Sequence, residues 1–145
     1  RDGIGAITGL NEVIQDGTNY DGLTFQFIIG YAFAPIAFLM GVQSDDIVLV
    51  GQLLGEKTIL NEFYAYVTLG EMKSNAEFAS EKSIIMASYI LCGFSNVASI
   101  GIQIGGIGSL VPGRKSLLSS LGFYALIGGT IACLFTATIV GMFYS

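Results

Sequence analysis

Three polar residues stand inside apolar sequence without an evident structural reason: Glu62, Asn96 and Ser99. A carboxylate accepts up to about four hydrogen bonds and donates none, which suits a ligand with two adjacent hydroxyls. An amide both donates and accepts, and a hydroxyl adapts to either role. Asn96 and Ser99 are three residues apart and share a face on a helix. Phe94 is two residues from Asn96 and points elsewhere on a regular helix. A local break would bring its ring into the same cavity, over a flat or apolar face of the ligand. Together these groups suit a ligand that joins a sugar to a base. They also have a plainer use, since Asn and Ser inside membrane helices often serve only to hold helices together. Glu62 argues more for function, because a charge at the bilayer centre costs about 2.5–3.5 kcal/mol on insertion scales.

The elements that must position these residues follow from composition. The chain has 145 residues, of which 52% are hydrophobic and 12% charged. Soluble domains carry about 25% charged residues, so this composition asks for a solvent other than water. One domain fits the length. The 20 glycines suit close helix packing in lipid. All 11 acidic residues lie between Asp2 and Glu81, and the 64 residues from Lys82 onward carry only Lys82, Arg114 and Lys115. Cys92 and Cys133 each sit in an apolar stretch and read as small buried hydrophobes. Without His there is no zinc spacing. The chain begins at Arg1 with no leader pattern and is read as part of a longer chain.

Residues 1–21 form a polar lead-in. Residues 22–44 are uncharged, with Pro35 in the middle, and are expected as an interfacial or kinked helix; about 20 residues would also span. Residues 46–69 hold two apolar arms around a polar centre, and a single straight helix there would bury Glu56, Lys57 and Glu62 in hydrocarbon. A re-entrant hairpin avoids this by placing its tip, Gly55 to Asn61, in a lined or watery cavity. Glu56 and Lys57 are expected to pair with each other at that tip. Residues 70–82 are a polar loop, and Ser80 and Ser83 are cap candidates for the next helix. Residues 83–111 are expected as a broken transmembrane helix, interrupted at CGFSNVAS (92–99). Residues 116–144 read as a final transmembrane helix. Arg114 and Lys115 between the two spans place that loop on the cytoplasmic side, with the 70–82 loop, the hairpin mouth and the C-terminus opposite.

Several classes are excluded. There is no nucleophile–base pair and no G-x-S-x-G setting, so no enzyme signature is present. No Walker A motif occurs, and GGIG at 105–108 sits in a membrane helix rather than after a strand. No basic patch suggests nucleic acid.

Four stretches, GYAFAPIAFLMGV (30–42), GEKTILNEFYAY (55–66), LCGFSN (91–96) and IGGIGSLVPGRK (104–115), resemble concentrative nucleoside transporters in order and spacing. The likeness covers roughly residues 22–145 and matches the C-terminal portion of that family. It implies an all-α membrane fold with the second re-entrant hairpin, a broken seventh span and an eighth span. It also implies that Glu62, Asn96 and Ser99 contact ribose and that Phe94 lies against the base. Tyr64 and Ser95 stand where the family often has Val and Ala. The implied function is symport of nucleosides with sodium or protons across the cell membrane, the inner membrane in a bacterium. The implied partners are a nucleoside, the lipid bilayer, the N-terminal part of the transporter and, for the whole protein, a homotrimer. The coupling-ion site and most base contacts would lie in the part preceding this chain, and no cofactor is implied. The rival reading is a membrane subunit, or a carrier for another polar solute.

Overall fold

A computed structural model describes residues 24–144. The lead-in at 1–21 lies outside the described residues. Among the described residues there are six α-helices: α1 (Phe25–Leu39), α2 (Ile47–Ile59), α3 (Glu62–Ser74), α4 (Glu81–Leu91), α5 (Val97–Leu110) and α6 (Lys115–Phe143). Short 3-10 turns precede α2 and α6. The described residues contain no strand.

Helix α1 starts at Thr24, whose hydroxyl accepts from Phe27 N at 3.2 Å. It ends in a left-handed turn at Gly41 (φ 81°), with Val42 N donating to Ala37 O at 3.3 Å. Glycine meets that backbone without a Cβ penalty. The chain reverses there, and α2 returns along α1. Gly51 makes the close approach: a Cβ on it would lie 2.5 Å from Gly30 O and 2.9 Å from Ala34 N. At 15 residues α1 is about 22 Å long, short of the roughly 30 Å of a hydrocarbon core. Pro35 lies within it without ending it.

Helices α2 and α3 are the two arms of the re-entrant hairpin. Each has 13 residues, about 20 Å, and neither crosses a bilayer alone. The tip differs from the sequence expectation. Helix α2 continues through Glu56 and Lys57 to Ile59, and only Leu60 and Asn61 turn the chain. Asn61 is extended, and its side chain accepts from Tyr64 N at 2.9 Å to start α3.

Glu56 and Lys57 do not form the expected tip pair. Both are buried inside α2 (1% and 0% exposed). Glu56 accepts from the Gln52 amide at 2.8 Å, and Lys57 donates to Ile90 O at 2.7 Å. They are consecutive, and consecutive helical residues do not face each other.

Helices α4 and α5 are the two halves of the broken span, and α6 runs antiparallel to both. Along its length α6 brings Gly141 against Met86, Cys133 against Gly93, Gly129 against Ser95 and Gly122 against Ile100. Among the described residues, the stretch ending in α6, Pro112–Phe143, is the one long and apolar enough to cross a membrane. It is mostly exposed, as a lipid- or partner-facing helix should be. The loop before α4 is held by Asp46 at the mouth of the hairpin. Its carboxylate accepts from Ala79 N at 2.8 Å and Ser80 N at 3.1 Å. Ser80 occupies the N-cap position but makes no side-chain cap bond, and the Ser83 hydroxyl is buried without a partner. The hairpin mouth, the loop at 75–80 and the end of α6 therefore share one end of the structure, and Pro112–Lys115 the other.

Candidate functional site

The site forms where the hairpin tip meets the break between α4 and α5. Residues 92–96 leave the helix, and Asn96 restarts it as the N-cap of α5. Asn96 Oδ1 accepts from Ser99 N at 2.8 Å, and Ser99 Oγ donates to Asn96 O at 2.6 Å. The pair is a capping box that satisfies donors a helix N-terminus leaves open. Opposite it, Glu62 is the first residue of α3, where the helix dipole favours a negative charge. The Asn96 amide donates to the Glu62 carboxylate, joining two groups 34 residues apart.

Two helix N-termini thus converge on one half-buried carboxylate, about midway along the broken span. Oxygens of Glu62 not taken by Asn96 remain as acceptors. Asn96 and Ser99 are almost fully buried. Three of the four candidate residues are therefore accounted for structurally: Asn96 and Ser99 cap α5, and Asn96 also holds Glu62. Phe94 is different. It lies in the break, 58% exposed, with nothing in the hydrophobic core resting on it.

Phe94 opens onto a cleft between the break and α6, lined also by Ser95, Ser99, Gln103 and Gly129. Two residues here escape a reading by motif. Gln103 lies one turn beyond Ser99 on the same face. Its signal was its being the one amide in the run VASIGIQIGGIGSLV. The Ser95 hydroxyl is buried at the wall of the cleft without a hydrogen-bond partner. The chemistry on offer is recognition: the cleft presents an amide, hydroxyls and a ring, and the Glu62 carboxylate is held by Asn96, three residues before Ser99 in its lining.

Irregular backbone between two half-helices, a helical hairpin and half-helix N-termini pointed at a polar centre are features that secondary-transporter folds share. The chain belongs to the family described as "Na+ dependent nucleoside transporter C-terminus", which it matches over residues 3–141. Solute carrier family 28 member 3 of Eptatretus stoutii is 47% identical over 87% of this chain and 20% of its own length. Sodium/nucleoside cotransporter 1 of Rattus norvegicus is 40% identical over 90% of this chain and 22% of its own. The chain therefore spans about a fifth of the length of these relatives. Among solved structures, CNTnw in an inward-facing substrate-bound state superposes with a TM-score of 0.80 at 33% identity. The match covers 95% of this chain and 33% of that one. The fold class and family expected from the residues are both borne out. The relatives are cotransporters and solute carriers rather than enzymes.

Proposed function

We propose that this chain is the C-terminal portion of a cation-coupled nucleoside symporter and supplies the ribose-binding half of its substrate site. The observation that carries this reading is the Asn96 amide held against the Glu62 carboxylate at the meeting of two helix N-termini. Asn96 occupies part of the carboxylate and fixes its direction. The remaining acceptor positions suit the hydroxyls of a ribose. Phe94, exposed beside them, gives a base a flat surface to lie on. Ser99 closes the cap and lines the cleft, one hydrogen-bond length from Asn96. The similarity to sodium/nucleoside cotransporter 1 supports sodium as the coupling ion. In this reading its site lies in the N-terminal part of the transporter. Alternating access then moves a fixed midplane site between the two faces of the cell membrane. The working unit is the full-length protein in a lipid bilayer, as a homotrimer.

The test uses the full-length transporter in liposomes with an inward sodium gradient, measuring uridine uptake by wild type and Glu62→Gln. The reading expects gradient-driven uptake that Glu62→Gln abolishes while the protein still inserts. Uptake unchanged in Glu62→Gln would remove Glu62 from the site. Uptake of no nucleoside under either sodium or proton gradients would favour a carrier for another polar solute.

A further inference from the structure

The hairpin bonds to both sides of the break. On one side Glu62 receives the amide of Asn96, where α5 starts. On the other side two hairpin side chains take carbonyl oxygens in the last turn of α4. The Tyr66 hydroxyl donates to Ser88 O at 2.9 Å, and the Lys57 ammonium donates to Ile90 O at 2.7 Å. Tyr66 stands on α3 and Lys57 on α2, so each arm holds the same helix end. Glu62 and Tyr66 are four residues apart on α3 and share a face. That face meets the start of α5 with its first turn and the end of α4 with its second.

The break depends on such donors. The last carbonyls of a helix have no backbone partners, and in a membrane water does not supply them. A helix with open carbonyls gains by winding on, since each further residue brings another N–H. In a continuing helix Ser88 O and Ile90 O would accept from the N–H groups of Cys92 and Phe94, four residues on. Phe94 lies outside α4, and Lys57 takes its place at Ile90. Tyr66 holds Ser88 to the other arm. Two bonds from two arms fix the end of α4 in direction as well as in position.

We infer that Tyr66 is a positioning residue for the nucleoside site: its hydroxyl ties the end of α4 to the arm that carries Glu62, and so sets where the break presents Phe94 and Asn96 to the ligand. The inference rests on the ribose-binding reading of Glu62 and Asn96. A tie that served stability alone would need no particular face of α3. This one lies on the face of Glu62, and it anchors the short stretch, residues 92–95, whose far end is Asn96.

The test measures uridine Kd and ligand-free melting of the purified full-length transporter in sodium. The proteins are wild type, Tyr66→Phe, Asn96→Ser, Glu62→Gln and Tyr66→Phe/Asn96→Ser. Tyr66→Phe keeps the ring and its packing and removes one hydrogen bond, and should raise Kd by roughly five- to tenfold. In the Asn96→Ser background the same change should raise Kd by no more than about twofold, because the residue it positions no longer holds Glu62. Equal fold-losses in the two backgrounds would overturn the inference. So would a wild-type Kd in Tyr66→Phe, and a lowered melting temperature beside it would leave Tyr66 a structural tie only. A wild-type Kd in Glu62→Gln would overturn the ribose reading itself, and the role of Tyr66 with it.

Discussion

Replacing Asn96 by serine, aspartate and alanine separates two contacts made by one side chain. The Oδ1 atom caps α5 and the Nδ2 atom holds Glu62. Serine keeps a good N-cap but lacks the amide donor. The bond it loses is to a charged group, worth about 1.5–3 kcal/mol. If about 2 kcal/mol of that is lost to ligand binding, the Kd for a nucleoside rises roughly 30-fold. Aspartate also keeps the cap, but sets a second carboxylate against Glu62. At about 4 Å and an effective dielectric constant of 20 the repulsion is about 4 kcal/mol. Alanine loses the bond to Glu62 and the cap as well, a further loss of about 1 kcal/mol. The assays are uridine uptake by the full-length transporter in liposomes and melting of the purified protein. Nucleoside affinity should fall from wild type to Asn96→Ser to Asn96→Asp, and Asn96→Ala should be less stable than Asn96→Ser. Wild-type affinity in Asn96→Asp would refute the contact with Glu62. Equal stability of the serine and alanine variants would refute the cap.

Four further outcomes follow from the packing. Asp46→Ala leaves the Ala79 and Ser80 amides without their carboxylate and, since water can reach them there, should destabilise the protein by about 1–3 kcal/mol in all. Asp46→Asn, which keeps one acceptor, should recover part of that loss in a melting assay. Gly51→Ala pushes a methyl into backbone atoms of α1 and should cost about 1–3 kcal/mol by overpacking. Gly70, on α3, has nothing within 4 Å of its Cβ position, and Gly70→Ala should be neutral or stabilising by up to about 1 kcal/mol. Ala76 holds a left-handed backbone (φ 54°) where α3 ends, so Ala76→Gly should stabilise by about 1 kcal/mol. A lower melting temperature in Ala76→Gly would contradict that reading.

The hairpin and the break were legible because charge in hydrocarbon is expensive. Glu56, Lys57 and Glu62 ruled out one straight helix, and the polar knot at 92–99 ruled out another. The position of the tip was not legible, because the sequence could not show that Glu56 and Lys57 are buried by packing around α2. Their consecutive numbers suggested a local pair, whereas the helix turns them to different neighbours. Asp46 and Lys57 act across 33 or 34 residues, a separation that no local pattern records. The capping box of Asn96 and Ser99 was within reach of the sequence. Their spacing of three gives a shared helix face, but it is also the spacing of an N-cap and its third residue.

The central claim is that Glu62 and Asn96 form one site. A double-mutant cycle tests it most directly, with uridine affinity measured for the full-length transporter and its Glu62→Gln, Asn96→Ser and combined variants. Residues in contact couple, so the combined variant should lose little more affinity than the worse single variant, a departure from additivity of at least about 1 kcal/mol. Losses that add would show that the two residues serve the ligand independently, and would contradict the account.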